Sequence, residues 1–572
     1  MHVGPYDLPV RALLGRVLWL ASLLATLSAC TRPWDIGGPE GRSVQMVHGA
    51  HTVGIVTRMP FMAAAGCAES FVAHALDNVS LIPGAQGVRM FDSNGSGVAL
   101  GDLNGDLLPE IALANLSEPN AVLWNRGGLH FTRTALAHRD SRAVALVDVN
   151  GDEMLDIVFT RRLDPPVVYL SQAAVDAGSA PQFSSGTLPG ITKTAYGMAW
   201  ADVDRDGDLD LLTGSYDLEL RALLGEAFEG QTDSGVYWHE RRASRFHSHL
   251  LALRSQALAL TVVPGVEGTY LTVGNDFLLP DGAWVWRDGG WHGDTPFAQT
   301  TQNTMSFSVG DVNNDGRLDL FAADMKPRTA DPDVLAAWQP VMAKVLEDPS
   351  DRQITENVLQ IQHAEGTFRN AAPATDVAAT GWTWSTQLAD FDQDGFLDLY
   401  VVNGMNALDL FSHLPGNELI ETNWALRNHQ GTRFVPAPEW NLALRTGGRG
   451  MTVGDLDFDG DLDIVINNLL APAVLLENQL CRGSSIQIRL RDGQAPNTQG
   501  IGARLTLQTD RGTQLRVREV TSGYLSGLPP VTHFGFPEGT VLQQLEVVWP
   551  DGERHVLPDL EAGYLYTVLR AR

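Results

Sequence analysis

Short apolar runs, each preceded by alternating acids, set the pattern of this chain. Ile111–Leu113, Ile157–Phe159, Leu211–Thr213, Leu320–Ala322, Leu399–Val402 and Ile464–Ile466 are brief segments rich in β-forming residues. Runs of that length between polar turns predict buried strands. Toward the C-terminus the pattern becomes alternation: Ile486, Ile488 and Leu490 are separated by polar residues, and Leu505 with Leu507 and Leu515 with Val517 repeat it. A period of two with one apolar face predicts a small antiparallel sandwich or barrel. Leu218–Leu260 and Ala330–Leu359 carry apolar residues at helical intervals, the latter at Val334, Ala337, Trp338, Val341 and Val345. Both stretches are expected to form short helices that cap one face of the fold.

The acids before the apolar runs share one spacing. Asp390, Asp392, Asp394 and Asp398 occupy positions 1, 3, 5 and 9 of a tight loop, with Gly395 at position 6. Carboxylates so close need a cation, and oxygen ligands around a glycine bend suit calcium. Position 12 is Val401 where an EF-hand requires Glu, and a strand follows where an EF-hand has a helix. Five further loops match: Asp102, Asn104, Asp106 and Glu110; Asp148, Asn150, Asp152 and Asp156; Asp202, Asp204, Asp206 and Asp210; Asp311, Asn313, Asp315 and Asp319; Asp455, Asp457, Asp459 and Asp463. These residues are the expected ligands of up to six calcium ions, with a backbone carbonyl at position 7 assumed. The first two loops place Leu107 and Glu153 at position 6, with Gly105 and Gly151 at position 4. If position 6 requires a positive φ, those two loops are strained and bind more weakly.

Loops begin at 102, 148, 202, 311, 390 and 455, and the interval from 202 to 311 is about two units. A repeat without a metal loop is therefore expected between Asp210 and Asp311, and Thr269–Trp286 fits its outer part. Seven repeats of short strands predict an all-β fold, a seven-bladed β-propeller, with an open β-solenoid as the alternative.

At 572 residues the chain is too long for one compact core unless it is repetitive. Its 44% hydrophobic content is that of a folded protein, and its 57 glycines favour turns. A net charge of −28 argues against nucleic acid as a partner, and much of that charge lies in the six loops.

Residues 1–30 read as a targeting segment: Arg11 and Arg16 precede the apolar Val17–Ala25, and Leu27-Ser28-Ala29-Cys30 resembles a bacterial lipobox. The resemblance implies cleavage before Cys30, lipidation of its thiol, and a place in the bacterial cell envelope, at the outer membrane or facing the periplasm. Residues 31–66 then read as a tether, 67–480 as the propeller and 481–572 as a C-terminal β domain. In an exported chain Cys67 and Cys481, which flank the repeats, are expected to pair and clasp the ring; two buried free thiols are the alternative. Such a bond would stabilise by roughly 4–5 kcal/mol.

With these loops the chain resembles the FG-GAP/VCBS repeats of integrin α-chain propellers, through D-x-[DN]-x-D-G-x-x-D, although the Phe-Gly half of that pattern is absent. Asn497-Thr-Gln-Gly-Ile-Gly-Ala-Arg504, Arg518-Glu-Val-Thr-Ser-Gly-Tyr-Leu-Ser526, His533-Phe-Gly535 and Val548-Trp-Pro-Asp-Gly552 resemble the ASPIC/UnbV domain. Their order is similar to that of the cartilage acidic protein family and its bacterial relatives. The resemblance implies a secreted calcium-binding propeller and little about activity. Alternation does not explain the Gly-Tyr-Leu-Ser and His-Phe-Gly segments, which are expected to be a buried tyrosine and a turn, with a binding surface as the alternative.

No nucleophile elbow, H-E-x-x-H or phosphate loop is present. His239, His247 and His249 could face one way as a metal pair requires, but beside Arg241, Arg242 and Arg245 they read as a solvated cluster. Two functions follow. One is a calcium-stabilised, monomeric scaffold that binds an unidentified protein or glycan, as in adhesion, and meets the membrane only through its lipid. The other is an envelope enzyme, a lyase or quinone-type dehydrogenase, with its site in the propeller channel.

Overall fold

The strand that leaves each carboxylate loop is buried, along its whole length in Asp398–Asn403 and Asp463–Asn468 and up to the terminal Arg161 in Asp156–Arg161, whereas outermost strands such as Phe131–Ala135 and Gln182–Thr187 are largely exposed. Apolar content thus falls from the axis outward, as sheets packed radially on both faces require. The computed structural model describes residues 44–64, 66–83, 87–172, 179–230, 234–264, 268–277, 279–342 and 352–571. The expected targeting segment, with Cys30, and Val345 of the expected second helix lie outside them. The chain divides into residues 1–45 and a unit of 46–572, and everything below concerns the second.

Seven four-stranded antiparallel sheets follow one another. In the first, Val98–Gly101, Glu110–Leu113, Ala121–Asn125 and Phe131–Ala135 pair in sequence order. The inner strands of the others are Ser141–Val147, Gly197–Ala201, Ala257–Pro264, Ser306–Gly310, Gly381–Ala389 and Gly448–Gly454. Successive inner strands touch, and the seventh meets the first, so the ring closes. The fold is a seven-bladed β-propeller.

The seventh blade takes its outer strand from the start of the chain: Ser70–Val79 pairs antiparallel with Pro472–Gln479. Cys67 and Cys481 lie at the end of that pairing and form a disulfide with a Cα separation of 5.6 Å. The expected clasp is present.

The fourth blade is the one without a metal loop. Thr269–Asn275 and Gly282–Arg287 are its second and third strands, so the stretch Thr269–Trp286 is the middle of the blade and not its outer part. The two helical expectations are corrected in extent. Of Leu218–Leu260, a helix at Asp217–Leu224 and a 3-10 segment at Gly225–Gly230 are helical; Val236–Arg242, Arg245–Ala252 and Ala257–Pro264 are strands. Of Ala330–Leu359, the described helix is Pro332–Met342, and Val358 opens a strand. Ala257–Pro264 is a nearly continuous apolar run, which satisfies a helical template by accident, and Val236–Arg242 and Arg245–Ala252 mix polar and apolar residues without strict alternation.

The C-terminal domain has two sheets. One pairs Arg504–Thr509 with Gly512–Val517 and with Leu542–Val548, which pairs Arg554–Pro558. The other joins Ser484–Asp492, Thr532–Phe536 and Tyr564–Ala571. Tyr564–Ala571 also pairs with Val53–Pro60 over eight residues, Val53 opposite Ala571 and Pro60 opposite Tyr564. The expectation of a tether over 31–66 is therefore wrong for 53–60. Gly54, Val56 and their alternating neighbours supply the period-2 face that a domain defined by 481–572 alone leaves open.

Candidate metal centres and the filled channel

A carboxylate loop follows each inner strand except the fourth, so all six loops emerge at one end of the ring. In the loops beginning at Asp102, Asp148, Asp311, Asp390 and Asp455, the N–H groups of positions 5 and 6 donate to the two oxygens of position 1. At Asp390 these bonds are 3.0 Å from Asp394 and 2.9 Å from Gly395; at Asp102 they are 3.1 Å from Asp106 and 2.9 Å from Leu107. Position 6 has positive φ throughout: 94° at Gly207, 83° at Gly316, 95° at Gly395, 98° at Gly460, and also 80° at Leu107 and 70° at Glu153. The first two loops thus hold side-chain residues in a conformation that favours glycine, as their sequence implied.

Position 9 pins the loop to its blade. Asp398 accepts from Phe391 N at 3.1 Å and from Asn428 N, on the third strand, at 2.8 Å. Asp463 does the same with Leu456 N at 2.9 Å and Asn478 N at 2.8 Å. Asp156, Asp210 and Asp319 repeat the arrangement.

Three loops bring three carboxylates together. Asp202, Asp204 and Asp206, then Asp390, Asp392 and Asp398, and Asp455, Asp457 and Asp463 each place one oxygen per residue within 4.8 Å of the others. In these loops position 3 is Asp. Where it is Asn, the amide takes up a neighbouring carboxylate: Asn104 Nδ2 donates to Glu110 Oε1 at 2.9 Å, Asn150 Nδ2 to Asp152 Oδ2 at 2.9 Å, and Asn313 Nδ2 to Asp315 Oδ2 at 3.1 Å. An internal donor there substitutes in part for a cation.

The three convergent loops also hold buried carboxylate oxygens without a hydrogen-bond partner: Asp202 Oδ1, Asp208 Oδ1, Asp392 Oδ1, Asp457 Oδ1 and Asp461 Oδ1. Unsatisfied buried acceptors of this kind fit a hard divalent cation. Asp208 and Asp461 are position 7 side chains, which sequence reasoning assigned only a backbone carbonyl. Burial, reinforced by the neighbouring acids, pushes Asp455 up to about 8 and Asp202 and Asp457 to about 7, and it holds Asp390, Asp398 and Asp463 well above the carboxylate range. Without a cation these groups cannot all ionise near neutral pH.

The C-terminal domain is seated on this face of the ring. Gln487 Nε2 donates to Asp455 Oδ2 at 2.7 Å, Thr498 Oγ1 to Asp148 Oδ2 at 2.5 Å, and Asn497 N to Gly207 O at 2.9 Å. Asn314 Nδ2 reaches Gly395 O at 2.9 Å, linking adjacent loops, and the buried Arg516 guanidinium acts on Asp390 and Asp311. None of these contacts was foreseen, although Asn497 and Thr498 stand in a motif that alternation does not explain.

From the same domain, Thr521–Gly527 enters the channel. Gly523 N donates to Phe307 O at 2.8 Å, Tyr524 N to Ser385 Oγ at 3.0 Å, Val144 N to Leu525 O at 3.1 Å and Thr452 Oγ1 to Gly527 O at 2.7 Å. Val98 N reaches Ser526 Oγ at 3.3 Å, so five blades grip one loop. Gly97 makes room for it: a Cβ there would lie 1.8 Å from Leu525 O. Tyr524 is fully buried and stands 5.2 Å from Trp384, ring to ring. At the far end of the channel Arg142 pairs with Glu219 of the helix Asp217–Leu224, and Trp338 Nε1 donates to Glu421 Oε1 at 3.1 Å.

The histidines separate. His239 is buried, with Thr213 Oγ1 and Ser248 Oγ each 2.8 Å from its ring nitrogens, and burial lowers its pKa to about 3. His247 and His249 are exposed, and His249 stacks on Trp238 with centroids 4.8 Å apart. The solvated reading holds for the pair and is corrected for His239, which the blade core claims.

A closed ring of loop-bearing blades, plugged by an appended β domain, defines a repeat-built β-propeller protein. A family model described as FG-GAP-like repeat matches residues 102–159, 148–213, 331–401 and 402–466, and one described as ASPIC and UnbV matches 493–572. The chain is 24% identical to cartilage acidic protein 1 of Mus musculus over 517 residues, 81% of this chain and 72% of that one. It is 24% identical to the Homo sapiens protein over 534 residues, 84% and 73% of the two chains. The WD40 domain of Toxoplasma gondii coronin is similar at 10% identity and a TM-score of 0.37, over 73% of this chain and 89% of that one. The protein combines FG-GAP repeats with a C-terminal ASPIC/UnbV domain and is homologous to the cartilage acidic protein 1 family.

Proposed function

We propose that this protein is an exported, calcium-stabilised scaffold that binds a protein or glycan at the bacterial envelope. An FG-GAP propeller with an ASPIC/UnbV domain suggests a binding or scaffold role. The calcium reading rests on one observation: three loops converge carboxylate oxygens within 4.8 Å and leave buried oxygens of the same loops unpaired. Oxygen-only donors favour calcium over transition metals, and affinities of about 10⁻⁴–10⁻³ M would suffice outside the cytoplasm. The ions are structural in this reading, because they neutralise the face on which the C-terminal domain sits. Attachment is through lipid on Cys30, and no described helix is long and apolar enough to cross a membrane.

The enzyme reading places its site in the channel, and the Tyr524 loop occupies that space. Elemental and small-molecule mass spectrometry of the purified full chain tests the choice. Three to six calcium ions per chain and no organic cofactor support the scaffold. A stoichiometric transition metal or cofactor, or no calcium after purification with it, rejects it.

A further inference from the structure

A cavity of about 240 Å³ lies between the third and fourth blades and the C-terminal domain. Trp200, Asp202 and Arg205 of the third blade and its carboxylate loop, with Thr261, Val262 and Thr269 of the fourth, form its blade wall. Three of the motif segments that the fold does not require meet on the other side: Ile501–Arg504, Arg518–Thr521 and Val548–Pro550. A liquid water occupies about 30 Å³, so the space accommodates a small organic acid.

Its chemistry is cationic. Arg205, Arg504 and Arg518 all line it, and none has a carboxylate within ion-pair distance among the described residues. Arg518 is 3% exposed; its Nη1 donates to Glu519 O, while Nε and Nη2 have no partner. Those two atoms form the edge with which a guanidinium binds an oxyanion through paired hydrogen bonds. A buried cation left so is costly unless something completes it. The lining acids do not: Asp202 belongs to the third metal loop, and burial raises Glu519 to about 8.

We propose that this cavity binds a small oxyanion, a carboxylate or phosphate group, on the free edge of Arg518 with Arg504 and Arg205 around it. The apolar walls at Val262, Ile501, Val520 and Trp549 suit a short organic body beside the anionic group.

The test uses the calcium-loaded full chain and the ¹⁹F signal of trifluoroacetate at constant ionic strength. Saturable broadening is expected, reversed by acetate, with affinity about tenfold weaker in Arg504→Gln and in Arg518→Gln. Displacement by acetate alone identifies a carboxylate site, and displacement also by inorganic phosphate identifies a general oxyanion site. Arg504 is partly exposed, so Arg504→Gln is expected to keep the fold, checked by circular dichroism, and it carries the test if Arg518→Gln unfolds. No broadening with no phosphate-induced rise in thermal midpoint overturns the proposal. So does broadening that is unchanged in Arg504→Gln.

Discussion

The hydroxyls of Tyr196 and Tyr524 meet 2.6 Å apart inside the ring, one from the third blade and one from the C-terminal domain. Asn94 Nδ2 also donates to the Tyr196 hydroxyl oxygen, at 2.9 Å. The contact makes the appended domain part of the propeller core. Tyr524→Ala should therefore destabilise the whole unit by about 3–5 kcal/mol, through the cavity and the stranded partner. Tyr524→Phe should cost about 1 kcal/mol. Denaturant unfolding followed by tryptophan fluorescence measures both, and equal effects would show that the hydroxyl contact is idle.

Metal-free stability should fall as pH rises. Asp394 titrates at about 6, Asp202 and Asp457 at about 7, and Asp210 and Asp455 at about 8 in the folded protein, against about 4 unfolded. The folded chain thus holds protons that the unfolded chain releases. This contribution is fully present below about pH 4 and is lost as pH climbs through 6 to 8. Calcium takes over from those protons, so the gap in thermal midpoint between calcium and chelator should widen from pH 5.5 to pH 8.5. A constant gap would exclude calcium from these loops.

The loops should differ in affinity. Those starting at Asp202, Asp390 and Asp455 converge their oxygens and should keep calcium at chelator concentrations that empty the Asn-bearing loops. Asp392→Asn and Asp457→Asn should each remove one retained ion, whereas Asp152→Asn should leave the retained count unchanged. Equilibrium dialysis with metal analysis reads the number directly.

Glu153→Gly should stabilise. The residue sits at a φ of 70° and its ion pair with Arg491 is exposed, so relief of the backbone outweighs the lost contact by about 0.5–1 kcal/mol. Gly395→Ala, at 95° with Gln514 Nε2 3.2 Å from the new Cβ, should lose more than 1 kcal/mol, about what a forced left-handed residue costs. Thermal melts of both variants in saturating calcium decide it.

The carboxylate loops were legible because their chemistry is local: nine residues fix spacing, bend and following strand at once. Seven blades were legible because the same unit recurs, and the silent one showed as a double interval. The disulfide followed from where two cysteines stand relative to a ring. What stayed hidden was non-local. Nothing around Val53–Pro60 names Tyr564–Ala571 as its partner, and a plug at Thr521–Gly527 reads as an ordinary turn until the channel that receives it exists. Asp208 and Asp461 were missed because position 7 of such loops is expected to act through its carbonyl. The helical stretches were overdrawn because an apolar run such as Ala257–Pro264 has no alternation to betray it.

The blade that closes the ring is assembled from the two ends of the propeller, and this bears on how the chain is born. Ser70–Val79 leaves the ribosome long before Pro472–Gln479, its neighbour across a separation like the 414 residues between the bonded cysteines. At roughly 5–20 residues per second that is a delay of about 20–80 s. Through that interval an edge strand has no partner and is open to wrong pairings. Val53–Pro60 waits longer still, for the last strand of the chain. Biogenesis is therefore all or nothing: a chain interrupted before residue 472 leaves an open ring with a bare edge, material for a chaperone or a protease.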